Sequence, residues 1–375
     1  MGKKIIKKYM VGVIMIVFML LVLCIARNME QSLARYILTR DIDIPIFSTE
    51  YYLEVESGAR LFDTESLNTS VILKNNDGTN YTTEDIEYTI TAISDNFDVI
   101  INDSANGILT GGSINSNLIP IVINKKTLST LSAIELVKIK INITYPYEEE
   151  KIIVFVHTKY VINGIKLHYD GIVNTFDNHS NITKTWKDIV ADNDGKVLGN
   201  PTWDNDNLEF NGIDSKVKLI GDVDNNYTMS FVILPVLTGT YPRILGEEAM
   251  GGNTGNPTFP AIYLRPEANY YKISFYGQEK DAIFGGNPIP SEINKTVITV
   301  TYDGTNVKLY MNGVYVSQIT TPTPPTPQNS VYLGGNGSEA RYYTGKIYNF
   351  IWYDRALTPS EIEYNFELDE LRFNI

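Results

Sequence analysis

Closely spaced carboxylates are the first residues in this chain with the means to do chemistry. "ADNDG" (191–195) sets Asp192 and Asp194 two apart, and "GDVDNN" (221–226) does the same with Asp222 and Asp224. Calcium takes several oxygen ligands at once, so each pair is a candidate calcium-binding stretch. Neither completes an EF-hand loop. Val190 offers no side-chain oxygen at the first position, and Tyr227 stands where the turn needs glycine. The three histidines, His157, His168 and His179, are dispersed and suggest no metal cluster. Gly-x-Ser-x-Gly and His-Glu-x-x-His are both absent from the sequence. "GGNTGN" and "LGGNGS" lack the strand-turn-helix context of a phosphate cradle and read as turns.

Sugar sites combine exposed aromatic faces with side-chain amides and carboxylates. The chain has 25 tyrosines, most of them at alternating positions that strands would bury. Tyr270, Tyr271 and Tyr342 flank turn-like stretches instead, which makes them the candidate ligand contacts. Asp354 and Arg355, adjacent in "IWYDRALTPSEI" (351–362), read as a turn and its ion pair rather than as catalytic groups.

The elements that would position these residues are strands. At 375 residues the chain has room for two or three domains, and 43% hydrophobic with 20% charged residues suits packed cores. The net charge of −13 should repel phosphate backbones, so nucleic acid is not an expected partner. Acidity suits an exterior domain. Lys3, Lys4, Lys7 and Lys8 precede Tyr9–Ala26, an uncharged run of 18 residues. At about 1.5 Å per residue it reaches roughly 27 Å, enough to span a hydrocarbon core. Lysines before the run favour a cytoplasmic amino end and an exported remainder. The run is either an uncleaved anchor or a signal segment cut near Ala26 or Ala34. Cys24, the single cysteine, is a small apolar residue in that segment or a lipidated one after "LVLC". The exported part therefore has no disulfide, and its stability must come from packing.

Residues 45–161 hold seven runs rich in Ile, Val, Thr and Tyr, from "EYYLEVE" to "KIIVFVHTKYV", separated by turns such as "NNDGTN". They predict an antiparallel sandwich. The block resembles the immunoglobulin-like modules of bacterial surface proteins in pattern and length, without their Cys-Trp-Cys core. From Gly164 a second series begins. Its clearest part is residues 294–319, where strands flank Asp303-Gly304-Thr305-Asn306 and Asn312-Gly313. Asp-Gly and Asn-Gly accept the positive φ of tight hairpins, so this is a three-stranded meander.

"TVTYDGTNVKLYMNGVYV", then "VYLGG" and "GKIYNFIWYDRALTPSEI", resembles the laminin-G-like branch of the concanavalin A-like lectin/glucanase jelly rolls. "LHYDGI", "TWKD" and "LEFNGIDSKVKL" fall upstream in the order that family has. The resemblance covers about residues 164–373 and implies two curved antiparallel sheets packed face to face, in a secreted or surface-bound protein that recognises carbohydrate or protein. It also implies calcium in surface loops, without placing the ligands here. The loop "TTPTPPTPQNS" (320–330) is a departure that its four prolines stiffen. Related glucanases carry Glu-x-Asp-x-Glu on a strand. The nearest string here is "ELDEL" (367–371), which has its second acid one place early and lies in the final helix.

That helix is signalled by Thr358 as N-cap, Pro359 at N1 and Glu361 at N3. The residues after it alternate as in a strand, but Ile362, Phe366 and Phe373 also form one helical stripe, and Tyr364, Leu368 and Leu371 another. In the strand before it, Tyr348, Phe350 and Trp352 should share one face and Ile347, Ile351 and Tyr353 the other. The expectation is an all-β chain: an immunoglobulin-like sandwich, then a jelly roll over residues 164–375, with a helix at each end. Its expected role is a non-enzymatic, membrane-anchored surface protein that binds a glycan or a surface protein. The alternatives are a structural envelope or filament subunit and a glycoside hydrolase with an atypical site.

Overall fold

Alternation of apolar and polar residues dictates strands throughout, and the computed structural model folds them into two sandwiches. It describes residues 51–101, 105–173, 184–191, 193–219, 225–236, 242–247, 262–266, 271–275, 294–320, 331–337 and 341–375. The amino-terminal basic and apolar segment with Cys24, His179, "GGNTGN" and the proline-rich loop from 321 lie outside the described residues. Among the described residues, no helix is long and apolar enough to cross a membrane.

The first sandwich comprises β1 (Glu54–Ser57), β2 (Leu61–Phe62), β3 (Ser66–Lys74), β4 (Ile86–Ile93), β5 (Phe97–Ile101), β6 (Asn106–Leu109), β7 (Ser116–Lys125), β8 (Ile134–Tyr145) and β9 (Glu149–Thr158). One sheet has the order β1-β3-β7-β5 and the other β2-β9-β8-β4-β6. That order follows the A-B-E-D and G-F-C arrangement of immunoglobulin sandwiches. β6 departs from it, adding to β4 after β5 has already joined the opposite sheet. Val71, Leu73, Ile121, Ile123, Val137, Ile139, Ile141 and Phe155 fill the space between the sheets.

The second sandwich begins with β10 (Ile165–Asp170), β11 (Thr185–Trp186), β12 (Gly195–Leu198), β13 (Thr202–Trp203), β14 (Leu208–Asn211), β15 (Lys216–Leu219) and β16 (Tyr227–Pro235). It continues through β17 (Arg243–Glu247), β18 (Ile262–Pro266), β19 (Tyr271–Phe275), β20 (Thr296–Tyr302), β21 (Asn306–Met311), β22 (Val314–Thr320), β23 (Val331–Leu333) and β24 (Thr344–Tyr353) to helix α1 (Pro359–Phe373). Its back sheet runs β13-β14-β24-β16-β20-β21-β22, with β10 also pairing β24, and its front sheet runs β11-β12-β15-β23-β17-β18-β19. A single core of Trp186, Phe210, Phe231, Phe350, Trp352 and their neighbours lies between them. The meander is present as β20, β21 and β22, with Asn312 at φ 46° and Gly313 at φ 74° in the second turn.

β24 is buried along both faces, as its composition requires. The assignment of faces differs from simple alternation. Val232 pairs with Asn349 but Ile233 pairs with Ile347, so Tyr348 is an extra residue in a bulge. The bulge shifts the phase. Ile347 joins Phe350 and Trp352 in the core between the sheets, and Tyr348 turns outward onto Phe373 of α1.

α1 starts at the capping box foreseen for it. Thr358 accepts from the Glu361 N–H, and the Glu361 side chain accepts from the Thr358 N–H at 2.8 Å. The ion pair expected between Asp354 and Arg355 is instead Arg355 to Glu361, at 2.6 and 3.0 Å. Arg355 thereby braces the cap from outside the helix, and its Nε donates to the Asn163 carbonyl at 2.8 Å. The buried face of α1 is Ile362, Asn365, Asp369 and Phe373, while Tyr364 and Leu371 are exposed. Two of the four inward residues are polar. They meet the first sandwich, whose Ala133, Ile134, Val156 and Tyr160 pack with Ile351, Tyr353, Leu357 and Ile362. The back sheet is thus covered by α1 and by the first sandwich.

The turn at Asn312 makes this packing testable. Its Oδ1 accepts from the Val297 N–H at 2.8 Å, and asparagine tolerates its left-handed backbone. Asn312→Ala should lower stability by about 1–2 kcal/mol, read as a lower urea midpoint at unchanged m value.

Candidate functional site

The most densely ionisable cluster in the described chain lies where α1, β10, β24 and the connection between the sandwiches converge. Asp170 and His168 point from β10, Asn349 from β24, Asp369 and Arg372 from α1, and Tyr160 from the residues after β9. All but Arg372 are almost wholly buried. Arg372 pairs with Asp170 and donates to the Tyr160 hydroxyl at 3.2 Å. Tyr160 donates to Asp369 Oδ1 at 2.7 Å, and Asn349 Nδ2 donates to the same oxygen at 2.9 Å. With its amide nitrogen so engaged, Asn349 presents its oxygen to His168 Nε2 at 2.8 Å, which assigns the proton on His168 to Nε2.

Each shift in this cluster follows from its surroundings. Burial raises the Asp170 carboxyl, but the Arg372 guanidinium outweighs it and holds the group below the usual carboxylate range. Burial pushes Asp369 up to about 6 against its hydrogen bonds from Tyr160 and Asn349. Burial pushes His168 down to about 4, so it is neutral at pH 7. These groups satisfy one another and are closed to solvent. They fasten α1 to β10, β24 and the segment that follows β9.

The acids singled out from sequence fare differently. Asp194 takes the Lys187 amine at 2.5 Å and the Asp188 N–H at 3.0 Å. Asp188, from "TWKD", was not singled out and is buried. Its carboxylate collects the N–H groups of His168, Val190 and Ala191, and burial pushes it up to about 6. It builds the turn that carries Asp194. Asp192, Asp222 and Asp224 lie outside the described residues. Among the described residues no group of three His, Cys, Asp or Glu side chains is placed to hold a metal ion.

The front sheet supplies a different kind of surface. Val197, Val217, Leu219, Ile244, Leu245, Ile262, Leu264, Val331 and Leu333 face the core, so their strand neighbours face outward. On that other side lie Lys196 on β12, which is exposed, and Lys216 and Lys218 on β15 and Tyr263 on β18, which are half-buried, while Tyr332 on β23 and Arg243 on β17 are buried there. The Lys216 amine lies 4.8 Å from the centre of the Tyr332 ring and 5.9 Å from that of Tyr342, and the Lys218 amine lies 5.9 Å from Tyr332. The Arg243 guanidinium sits 5.6 Å from the Tyr263 ring. Cations and rings therefore lie side by side on this side of the sheet.

Tyr342, named from sequence, stands half-buried at the margin of this face, just before β24. Tyr271 is the first residue of β19, opposite Pro266. Tyr270 lies outside the described residues. Tyr263 and Tyr332 were missed. Their signal is the alternation in "AIYLRP" and "SVYLGG", where apolar residues on both sides of each tyrosine take the core and turn the ring to the other side of the sheet, half-buried for Tyr263 and buried for Tyr332.

Residues 205–363, most of the second sandwich, match the laminin-G type of the concanavalin A-like lectin/glucanases superfamily. No curated protein sequence matches the chain. Among solved structures, the chain is similar to domain 4 of the extracellular arabinanase AbnA from Geobacillus stearothermophilus, in complex with arabinotriose. The identity is 22%, over 54% of this chain and 97% of that one, with a TM-score of 0.40. It is also similar to the Trypanosoma rangeli sialidase in complex with sialic acid, at 14% identity over 85% of this chain and 53% of the sialidase, with a TM-score of 0.44. A third similarity is to the receptor binding domain of botulinum neurotoxin C/D mosaic serotype, at 13% identity, 56% and 52% coverage and a TM-score of 0.39. The chain spans about half the length of the last two.

The fastening gives a pH dependence whose sign is fixed. Asp369 holds its proton more tightly in the folded chain than in the unfolded one, where the ordinary value is 3.8. The stability this supplies is complete below about pH 4 and is lost as pH rises through about 6. The stability of the native chain relative to Asp369→Asn should therefore fall by up to about 3 kcal/mol between pH 4 and pH 7. Denaturant titrations of both proteins at each pH measure this, and a flat difference would show that the carboxyl does not titrate in that range.

Proposed function

We propose that the chain is a surface-displayed, non-catalytic glycan-binding protein, with the second sandwich as its binding module and the apolar segment at Tyr9–Ala26 as its membrane anchor. The observation that carries this reading is the front sheet. Tyr263 and Tyr342, both half-buried, place aromatic rings beside Arg243 and Lys216 on a sandwich whose residues 205–363 match the lectin/glucanase superfamily. A pyranose ring presents C–H groups from one face and hydroxyls from its edge. A tyrosine beside a lysine or arginine meets both. The back sheet is engaged with α1 and the first sandwich, which supports the front as the binding face.

The non-catalytic reading is supported by the buried acids. Asp170, Asp188 and Asp369 are each occupied by internal partners, as acids that hold a fold together are. Most glycosidases use two carboxyl groups open to the substrate. The four lysines before Tyr9 support an orientation with both sandwiches outside the cell.

The full chain, reconstituted in lipid nanodiscs and passed over a glycan array, should retain at least one saccharide. Tyr342→Ala and Tyr263→Ala should each weaken that binding about five- to thirty-fold, the equivalent of about 1–2 kcal/mol, with no release of reducing ends from the bound glycan. Failure to retain any saccharide, together with concentration-dependent self-association, would move the assignment to a structural subunit.

A further inference from the structure

We infer that the first sandwich holds a second binding site beside the start of β1, a cleft for a saccharide that carries a protonated amine. The cleft has a volume of about 350 Å³ and is lined by Tyr51, Tyr52, Leu53, Glu54, Asn76 and Asp77. It lies at the small end of ligand-pocket volumes, with room for a single pyranose. It belongs to the opposite sandwich from the front sheet and stands independently of the reading above.

The loops that frame the cleft are locked before any ligand arrives. The Thr82 hydroxyl accepts from the Tyr52 N–H and donates to the Tyr52 carbonyl, both at 2.8 Å. Asn75, wholly buried, donates to the Thr110 and Ser113 carbonyls at 2.8 and 2.9 Å and accepts from the Asn115 N–H at 2.8 Å. Asp77 accepts from the N–H groups of Thr79 and Asn80 at 2.9 and 2.7 Å, which folds the loop into a turn. The Tyr147 ring braces Tyr51 at 82°, with centres 5.4 Å apart. A site held in this way loses little freedom when a ligand binds.

Donors and acceptors in the cleft are unequal. Tyr51 donates its hydroxyl proton to Glu149 at 3.3 Å, and the Asn76 amide nitrogen donates to Asn75 Oδ1 at 3.4 Å and the Asn115 carbonyl at 3.2 Å. Lys74 pairs with Glu56 and stands 3.8 Å from Glu54. Glu54 and Asp77 are exposed, and the N–H groups of Asn80 and Thr79 hold the Asp77 carboxyl below the usual range. An ionised carboxylate only accepts, so these two call for a donor from outside. Exposed Glu84, Asp85 and Glu148, in the β3–β4 and β8–β9 loops, add to the negative field. The rings of Tyr51 and Tyr52 attract a cation as well. An amino sugar answers both features. Its ammonium group meets the carboxylates, and its C–H face lies on a tyrosine. A sugar bearing a carboxylate or sulfate is repelled by the same groups.

The test uses the full chain in nanodiscs of neutral lipid, with three probes: a glucosamine oligomer, the same oligomer N-acetylated, and a lysine oligopeptide. At a pH that keeps the sugar amines protonated, the glucosamine oligomer should bind at least ten-fold more tightly than either of the others. Glu54→Gln with Asp77→Asn should reduce that affinity ten-fold or more. The melting temperature should not change, because an asparagine keeps the hydrogen bonds of the turn. Tyr52→Leu should reduce the affinity about three-fold or more. Equal binding of the acetylated oligomer, or retained binding in the double variant, would overturn the site. Equal binding of the lysine peptide would overturn the choice of a saccharide. Tyr263→Ala and Tyr342→Ala should leave glucosamine binding unchanged, so failure of this site and failure of the front-sheet reading are told apart.

Discussion

The Arg372–Asp170 contact is what the arrangement of this protein depends on. A buried ion pair gives little net stability, because desolvating both charges offsets most of their attraction. Removing one partner is another matter, costing about 3–5 kcal/mol as the survivor is left uncompensated. Asp170 ends the first strand of the second sandwich and Arg372 stands in the last turn of its helix. Tyr160, hydrogen-bonded to Arg372, belongs to the segment arriving from the first sandwich. One contact therefore ties the start of a domain, its end and its neighbour together. Asp369, Asn349 and His168 extend the same network into β24 and β10, where each donor has one acceptor.

This network also explains why the two faces of the second sandwich differ. The back sheet must bury the outward side chains of β24, among them Tyr348, Ile351 and Tyr353, and it does so under α1 and the first sandwich. The front sheet turns a mixed set to its other side, with Lys196 exposed and Tyr332 and Arg243 buried. Packing thus gives the back sheet its cover of helix and neighbouring sandwich.

Much of this was legible in the sequence. Strand alternation gave both sandwiches, positive-φ pairs gave the meander, and Thr358, Pro359 and Glu361 gave the start of α1. What escaped depended on contacts distant along the chain or on polar residues facing inward. No local signal marks Tyr348 as a bulge, since its side chain is as apolar as its neighbours. Asn365 and Asp369 are hidden from a hydrophobic stripe, because their burial is made tolerable only by Tyr353, Tyr160 and Asn349. Arg355 chose Glu361 over adjacent Asp354 because the helix cap brings Glu361 back toward it. For the site, the turn-flanking rule found Tyr342 but passed over Tyr263, which sits within a strand and is turned away from the core by Ile262 and Leu264 beside it.

β10 and β24, the first and last strands of the second sandwich, are paired neighbours, and the helix after β24 folds back to the residues before β10. The beginning and end of the domain thus lie side by side, while the Asp303–Asn306 hairpin joins strands that are already adjacent. Connectivity and architecture are therefore separable here. A circular permutant that links Ile375 to Gly164 and opens at that hairpin would retain every strand neighbour, and with it the whole front sheet.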